Sequence, residues 1–420
     1  MDKPQSGIAS PKPLSFEDTE VSFKSKSVGE LKRAQFLFSS MGNAFLLKTG
    51  LSLMPLAIKF KLPFTKDIIK STIFKQFVGG ETLAETAAVA DKLADFNVQV
   101  ILDYGVEGGD EGDVGFDAAM QEFINVITYA ATKKNVPFIS VKVTGLVRFT
   151  LLENIHNQMQ AANGTLVSRY HHVLEILPEA ERQEWERGTQ RLVAICKTAM
   201  QKNIGVLIDA EESWIQHPVD AVTMKMMDEY NKERPVIYNT IQLYRHDRFQ
   251  FLKDCLDAAV NRNFVLAVKL VRGAYMEKER KRALDKGYES PIQLTKENTD
   301  NDYNAAVAFC LQNVKQIAVI IATHNEFSNL NTTTVLDQLH LPHYHPAVHF
   351  SQLYGMSDNI TFNLAQNGCS VSKYLPFGPI EDVVPYLLRR AQENSSVAGQ
   401  TGRELGLIKK ELARRSQKHQ

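Results

Sequence analysis

The sequence has 420 residues, of which 44% are hydrophobic and 23% are charged, so the chain can bury a large core and still carry elements outside it. Its formal net charge is +0 at pH 7, which gives no electrostatic reason to expect a nucleic acid partner. The four cysteines, at positions 196, 255, 310 and 369, are too widely spaced for a CxxC zinc site or a small disulfide framework, so we expect no bound metal and a reducing, intracellular setting.

The first 80 residues differ in composition from the rest of the chain. Between residues 24 and 75 there are ten lysines and arginines but only two acidic residues, Glu30 and Asp67. The longest apolar stretch there, GLSLMPLAI at 50–58, is too short to cross a bilayer. We predict a basic helical arm over residues 1–80. It either packs on the main domain, which we favour, or makes a peripheral contact with an anionic membrane through residues 24–75.

The N-terminus carries no recognisable targeting signal. It has acidic residues at Asp2, Glu17, Asp18 and Glu20, and neither an apolar signal core nor an arginine-rich amphipathic pattern. We expect a cytoplasmic protein, which lies on the inner face of the cell membrane if the arm contacts lipid. In a eukaryote the expected compartment is the mitochondrion, although no transit peptide is visible.

From residue 81 onward, short apolar runs alternate with helix-length amphipathic stretches. The eight runs are VQVILDY at 98, FISVKV at 138, GVLIDA at 205, VIYNTI at 236, FVLAVKLV at 264, IAVIIAT at 317, AVHFSQL at 347 and CSVSKYL at 369. Such runs indicate parallel strands buried on both faces. We predict an α/β fold, a (βα)8 TIM-type barrel over residues 81–420, with a helical insertion at about 146–202 and a C-terminal helical tail. An open doubly wound sheet is the alternative, disfavoured because no G-x-G-x-x-G fingerprint follows a strand.

Seven of these eight runs end in polar side chains. In a barrel the pocket is built where the strands end, and buried polar groups cost several kcal/mol each unless they find a partner. A ligand is such a partner, so the pattern predicts a binding site. The strand-end residues are Lys142, Asp209, Gln242, Lys269, Arg272, Thr323, His324, Asn325, Gln352, Lys373 and Tyr374. Taken singly, a strand-end lysine commonly reaches solvent and an aspartate commonly caps a helix, so only the joint pattern indicates a site.

The stretch IEDVVPYLLRRAQEN after the last run predicts a helix with a distinctive polar face. Tyr386, Arg389, Arg390 and Glu393 are spaced i, i+3, i+4 and i+7, so they share this face. A solvated surface is one interpretation. A clamp for a carboxylate is the other, since a guanidinium group binds a carboxylate through two parallel hydrogen bonds. The second interpretation implies a small acidic substrate.

Five stretches resemble the flavin-dependent proline dehydrogenase family: VLIDAEES at 206, VKLVRGAYMEKER at 268, IIATHN at 320, FSQLYGMSD at 350 and KYLPFGPIEDVVPYLLRRAQENS at 373. The KLVRGAY form is similar to the monofunctional branch of that family. The resemblance implies a distorted (βα)8 barrel that holds FAD non-covalently. The implied activity is oxidation of L-proline to 1-pyrroline-5-carboxylate by hydride transfer to the flavin, the first step of proline catabolism, with a membrane quinone as electron acceptor.

The resemblance also implies roles for individual residues. The implied catalytic residues around proline are Lys142, Asp209, Tyr374, Tyr386, Arg389 and Arg390. Leu353 and Tyr275 would pack at the substrate, with Glu277 at the pocket edge. The implied flavin contacts are Gln242, Lys269, Val271, Gly273, Thr323, His324, Asn325 and Glu393. In the family, the tyrosine at the position of Tyr374 packs where the 4-hydroxyl of hydroxyproline would project, so its presence implies a preference for proline.

Three other functions stay open from the sequence. A hydroxyproline dehydrogenase would share the fold and the cofactor. An aldolase-type lyase would use Lys142 or Lys269 as a Schiff-base nucleophile at a strand end. In a non-catalytic alternative, the arm and the barrel together bind a membrane surface. A flavin spectrum that L-proline bleaches would identify the dehydrogenase.

Overall fold

The computed structural model describes residues 14–41, 65–105, 112–396 and 398–417, without the side chains of 392–396 and 398–401. The apolar stretch at 50–58 and the side chain of Glu393, both part of the predictions, lie outside this part. The helices are α1 Thr19–Ser22, α2 Val28–Met41, α3 Thr65–Ile69, a π-helical turn Lys70–Phe74, α4 Lys75–Phe77, α5 Leu83–Ala94, α6 Gly112–Ala130, α7 Phe149–Ala161, α8 Leu166–Ile176, α9 Glu179–Lys202, α10 Gln216–Tyr230, α11 Arg248–Arg262, α12 Met276–Lys286, α13 Lys296–Gln312, α14 Glu326–Gln338, α15 Asp358–Gln366, α16 Ile380–Ser396 and α17 Ala398–Gln417.

The strands form a closed barrel in chain order. They are β1 Gln99–Tyr104, β2 Phe138–Val141, β3 Gly205–Ile208, β4 Ile237–Gln242, β5 Leu266–Val271, β6 Ile317–Ala322, β7 Val348–Leu353 and β8 Val371–Phe377. Every neighbouring pair is parallel, and β8 pairs with β1 to close the ring. The predicted (βα)8 barrel is therefore confirmed, and the open sheet is excluded. Helices α7, α8 and α9 stand between β2 and β3. The division of the chain into arm, barrel, insertion and tail stays a prediction.

The strand register decides which side chains face the barrel interior. Ile101 on β1 lies opposite Tyr374 on β8, and Lys269 on β5 lies opposite Thr240 on β4 and Ile320 on β6. A small apolar cluster fills the interior, formed by Ile101, Leu207, Tyr238, Ala267, Ala318 and Ile320. Because successive side chains of a strand point to opposite faces, the residues two positions further along share this interior face. They form the C-terminal mouth of the barrel.

A second apolar core joins the first helices to the last ones. On α2 the buried side chains are Leu31, Ala34, Phe38 and Met41. They belong to one cluster with residues of α16 and α17, including Val383, Leu387, Leu407 and Ile408. The described part of the basic arm thus packs its apolar face on the C-terminal helices. Among the helices of the described ranges, none is both long and apolar enough to span a membrane.

Candidate active site

Two lysines and two aspartates meet at the mouth of the barrel. Lys142 follows β2, Asp209 follows β3, and Asp103 and Lys269 stand near the ends of β1 and β5. Lys142 Nζ lies 3.3 Å from Asp103 Oδ1 and 3.7 Å from Asp209 Oδ2. Lys269 Nζ forms an ion pair with Asp209 Oδ1. The four formal charges therefore balance in a cluster that only the barrel fold brings together.

Two hydroxyl groups connect the carboxylates of this mouth cluster. Ser140 Oγ donates to Asp103 Oδ1 at 2.6 Å. The Tyr374 hydroxyl donates to Asp209 Oδ2 at 2.7 Å and lies 2.9 Å from Ser140 Oγ. Lys269 Nζ is 5.4 Å from the centre of the Tyr374 ring, a distance at which a cation is attracted to the aromatic face. These contacts fix the Tyr374 ring as a wall of the site.

Opposing effects set the protonation states in the cluster. Burial favours the neutral form of Asp209, but Lys269 and Lys142 outweigh it and hold the pKa of this carboxyl below its ordinary value. Burial, followed by the charges of Asp103 and Asp209, raises the pKa of Tyr374 well above its ordinary value. At neutral pH the site thus contains an ionised Asp209 and a neutral Tyr374. Such an arrangement is suited to orienting a substrate and stabilising positive charge on it.

The surroundings of Gln242 and Gly273 indicate whether a flavin ring fits at the mouth of the barrel. Gln242 Nε2 donates to the Glu211 carbonyl at 2.8 Å, whereas its Oε1 is buried and accepts no hydrogen bond from the residues described. Gly273 has a φ of +144°, and a Cβ there would lie 2.5 Å from the Tyr244 ring. An orphaned buried acceptor needs an N–H donor, and a flavin ring presents one. The orphaned acceptor of Gln242 therefore fits FAD, whereas the space beside Gly273 is filled by the Tyr244 ring.

Arg272, adjacent to Gly273, faces the helices outside the barrel. Its guanidinium group donates to Asp300 Oδ1 at 2.7 Å, to Thr323 Oγ1 at 2.7 Å and to Ser328 Oγ at 3.0 Å. It also stacks on the Tyr303 ring at 4.3 Å. The prediction that Arg272 points into the pocket is wrong. Its contacts instead tie the end of β5 to the end of β6 and to helices α13 and α14.

The residues after β6 have distinct structural contacts. Thr323 Oγ1 accepts both from Arg272 and from the Asn325 N–H at 3.1 Å, and Asn325 caps α14 by accepting from the Ser328 N–H at 2.9 Å. His324 Nδ1 lies 2.9 Å from Ser357 Oγ. Burial, followed by the charges of Lys373 and two arginines, lowers the pKa of His324 to about 3. His324 is therefore neutral at pH 7. Flavin contacts for these three residues stay a prediction.

Helix α16 begins at Ile380, shortly after β8 ends at Phe377. Tyr386 and Arg390 are buried, and the Arg390 guanidinium lies 5.1 Å from the Tyr386 ring centre. The Arg389 guanidinium lies 5.9 Å from the ring centre of Tyr275, which follows β5. Leu353, at the end of β7, packs against the same core as Tyr386. The structure thus brings the predicted clamp together with the mouth.

Two further strand-end residues face away from the mouth, as Arg272 does. Gln352 Oε1 accepts from Thr361 Oγ1 at 2.8 Å, and Lys373 Nζ lies 2.9 Å from Asp358 Oδ1, both partners being on α15. The prediction that they point into the pocket is wrong. Tyr374 faces the interior, so its neighbour Lys373 must face outward.

Some predicted residues lie at the edge of the site, and two of its members were not predicted. Val271 is half-buried as the last residue of β5, and Glu277 is exposed on α12. Asp103 and Ser140, both buried, are the members that sequence reasoning missed. They stand inside the apolar runs, before the last residue. The available signal was a polar residue at an inward position of an otherwise apolar strand.

Comparisons with known proteins agree with this geometry. A family model described as Proline dehydrogenase matches residues 86–403. The chain is 32% identical over 426 residues to Proline dehydrogenase 1, mitochondrial, from Dictyostelium discoideum, covering 95% of this chain and 74% of that protein. It is 33% identical over 422 residues to Hydroxyproline dehydrogenase from Xenopus laevis, covering 96% of this chain and 90% of that one.

A solved structure shares the fold. Proline utilization A from Bdellovibrio bacteriovorus superposes with a TM-score of 0.67 at 22% sequence identity, covering 91% of this chain. The chain spans 37% of that protein's length. The fold and the mouth cluster define a barrel enzyme with a charged site at the strand ends. The chain belongs to the proline dehydrogenase family, as the family model and the sequence relatives show.

Proposed function

We propose that this chain oxidises L-proline to 1-pyrroline-5-carboxylate, the first step of proline catabolism, with FAD held non-covalently at the barrel mouth and a quinone as electron acceptor. The observation that carries the proposal is the charged mouth cluster, together with the basic side chains of α16. Lys142, Asp209 and Lys269 converge there, and Arg389 reaches over to the Tyr275 ring at 5.9 Å. A small molecule with one carboxylate and one amine has a complementary partner for each group at such a site.

The carboxylate of the substrate is assigned to the basic groups. Arg389 and Arg390 present guanidinium groups from adjacent positions on α16, and Lys142 presents an ammonium group from the end of β2. Arg390 is buried and Lys142 is nearly so, so their hydrogen bonds to a carboxylate form in a medium of low dielectric constant, where they are strong. Asp103 holds Lys142 in place, with Nζ 3.3 Å from Oδ1.

The oxidation needs a neutral amine and an orienting pocket. As the hydride leaves C5, the nitrogen lone pair forms the C=N bond, and the nitrogen becomes positive before it loses its remaining proton. When bound, FAD supplies the acceptor for this hydride. Asp209 is ionised and fixed by Tyr374 and Lys269, so it stabilises positive charge that develops on the substrate nitrogen. Orientation of C5 in a site closed to water accounts for much of the remaining acceleration.

The flavin is assigned to the side of the mouth formed by β4, β5 and β6. The orphaned Gln242 Oε1 is the observation that favours this placement. Lys269 on the neighbouring strand β5 is a buried cation and would stabilise negative charge that the ring acquires on reduction. Val271, Thr323, His324 and Asn325 border the same region, and Glu393 follows in sequence on α16.

Proline is proposed over hydroxyproline because Tyr374 is held rigidly. Its hydroxyl is engaged by Asp209 at 2.7 Å and lies 2.9 Å from Ser140, so the ring does not swing aside to admit a 4-hydroxyl group. The Hydroxyproline dehydrogenase relative makes this the principal competing substrate. An aldolase-type role for Lys269 is disfavoured, since its amine is engaged in an ion pair with Asp209.

Electron transfer and membrane contact complete the proposal. A quinone is the proposed electron acceptor. Residues 24–75 are the proposed site of contact with a membrane, at the inner face of the cell membrane or in the mitochondrion. The lysines of that range that the structure describes include Lys66 and Lys70, which form exposed ion pairs with Glu381 and Glu81. Exposed pairs of this kind are weak and exchange readily for other anions.

The clamp on α16 provides the test of the proposed function. Arg389→Met and Arg390→Met should each raise KM for L-proline by about tenfold or more while the bound flavin is retained, because the carboxylate partner is lost and the flavin contacts are not. Arg262→Met on α11, far along the chain from the mouth, is the matched control and should leave KM unchanged. An unchanged KM in both α16 variants would refute the clamp.

A further inference from the structure

The loop after β7 connects two residues of the proposed site. This β7 loop, residues 354–357, begins directly after Leu353 and ends at Ser357, whose Oγ lies 2.9 Å from His324 Nδ1. Leu353 packs with Tyr386 of α16. The position of the loop therefore fixes both a proposed substrate contact and a proposed flavin contact.

The backbone of the β7 loop is in a conformation that it does not adopt readily by itself. Gly355 has φ +80° and Ser357 has φ 51°, both in the left-handed region. A serine is strained there, and such strain persists only where the surroundings hold the backbone in place. The loop must therefore be held by contacts from elsewhere in the chain.

The first such contact comes from the N-terminal helices. Gln76 on α4 donates from Nε2 to the Gly355 carbonyl at 2.7 Å, across 279 residues of sequence. The approach is close, because a Cβ added at Gly355 would lie 2.0 Å from the Gln76 carbonyl oxygen. Only glycine at position 355 permits this approach, for reasons of space as well as of φ.

The second contact comes from the C-terminal helix. Glu404 on α17 accepts the Ser357 N–H through Oε2 at 3.1 Å, and its side chain is buried. Beneath the loop, Lys373 Nζ donates to the Met356 carbonyl and pairs with Asp358, which also pairs with Lys26 at 3.0 Å. The loop is thus held from three sides, and two of the three anchors lie outside the barrel strands.

We propose that Gln76 and Glu404 are positioning residues, which act through the β7 loop to hold Leu353 and His324 in the geometry that proline oxidation requires. Neither side chain reaches the mouth cluster in the described structure. The first and last helices are then parts of the active-site scaffold, in addition to any role at a membrane. The inference rests on the proposed function for its kinetic readout only, since the geometry of the loop can be measured without turnover.

The test compares two buried glutamates of α17 in the full-length, flavin-loaded protein. Glu404→Met removes the acceptor for the Ser357 N–H at similar volume. Glu404→Gln keeps an acceptor oxygen for the Ser357 N–H at nearly the same volume. Glu411→Met is the matched control, because buried Glu411 pairs with Arg414 and Arg415 on its own helix.

The expected results separate positioning from general stability. Glu404→Met should raise KM for L-proline about tenfold with kcat changed less than about threefold, and should speed hydrogen–deuterium exchange over residues 353–358. Gln76→Met, at a half-buried site where folding is less at risk, should act in the same direction. Glu404→Gln should remain near the wild type. Glu411→Met should lower the melting temperature without changing KM or the exchange of the loop.

Two outcomes would overturn the inference. One is an unchanged KM and unchanged loop exchange in both Glu404→Met and Gln76→Met. The other is an equal rise in KM in Glu411→Met, which would mean that any weakening of α17 disturbs the site. If the wild-type flavin is not reduced by L-proline, the proposed function fails separately, and the exchange data still decide whether the two residues hold the loop.

Discussion

Two buried carboxylates, Asp209 at the mouth and Asp220 behind the barrel, show how a site differs from a structural ion pair. Asp220 on α10 receives two hydrogen bonds from Arg248, both at 2.9 Å, and others from Asn239 and Gln216. Asp209 pairs with Lys269 and shares a second lysine, Lys142, with Asp103. The Asp220 carboxylate thus has a bidentate arginine and two amide donors to itself, whereas the Asp209 carboxylate competes with Asp103 for one of its lysines at the barrel mouth.

The largest expected effect comes from breaking the structural pair. Arg248→Met should reduce the free energy of unfolding by about 3–5 kcal/mol, because it leaves Asp220 charged and buried without its main partner. The measurement is chemical denaturation. Arg262→Met, which removes an exposed pair with Asp228, should cost less than about 1 kcal/mol. Equal losses in the two variants would show that the Asp220 pair contributes nothing beyond a surface pair.

Changing Asp209 should reduce activity strongly and stability only modestly, in contrast to Arg248→Met. Asp209→Asn should lower kcat/KM for L-proline by about 10²- to 10³-fold, because the fixed negative charge beside the substrate nitrogen is lost. Stability should fall by less than in Arg248→Met, because Lys142 retains Asp103 as a partner and an asparagine oxygen can still accept from Lys269 Nζ. Steady-state kinetics and denaturation on the same preparation check both parts. A variant with full activity and a large loss of stability would class Asp209 with Asp220.

Buried histidines should make the fold sensitive to acid. Burial lowers the pKa of His349 inside the barrel to about 3, as it does for His324 at the mouth. Between about pH 6.5 and 3 the unfolded chain binds protons that these native histidines do not, so stability is lost as the pH falls through this window. Each such histidine contributes about 1.4 kcal/mol per pH unit in this window. His349→Gln should reduce the slope of unfolding free energy against pH by that amount, and an unchanged slope would contradict the assignment.

The smallest expected effect concerns specificity. Tyr374→Ser should raise the kcat/KM ratio of 4-hydroxyproline to proline by about tenfold, because the ring that fills the space beside Ser140 is removed. Tyr374→Phe keeps the ring but loses the hydroxyl contacts to Asp209 and Ser140 that hold it, so it should shift the ratio by less than Tyr374→Ser does. Kinetics with both substrates decide the matter. The same shift in Tyr374→Phe would show that the hydroxyl, and not the ring, sets the preference.

The sequence predicted the fold more completely than the site. Eight apolar runs separated by helices were enough for the barrel, because parallel strands buried on both faces leave a clear pattern. Strand ends placed Lys142, Asp209 and Gln242 near the barrel mouth, where the structure has them, and their roles stay predictions. Strand ends misplaced Lys373 and Gln352, because the end of a run does not show which alternate residues face inward. They also misplaced Arg272, since its partners Asp300 and Ser328 come from later helices that only the folded structure brings alongside.

The described part of the basic arm shows that composition, too, predicts only part of the structure. Its basic residues suggested a surface for lipid, and the structure shows in addition that α2 packs on α16 and α17 and that Gln76 reaches the β7 loop. Charge counts describe the exterior of a helix. They do not predict what its other face touches.

The most direct test of the central claim is the visible spectrum of the FAD-loaded protein under anaerobic conditions. Addition of L-proline should bleach the flavin absorbance in the wild type and in the folded fraction of Arg248→Met. In Asp209→Asn the bleaching should be at least about a hundredfold slower. Bleaching of equal rate in wild type and Asp209→Asn, or none in the wild type, would contradict the assignment of the mouth cluster as the site of proline oxidation.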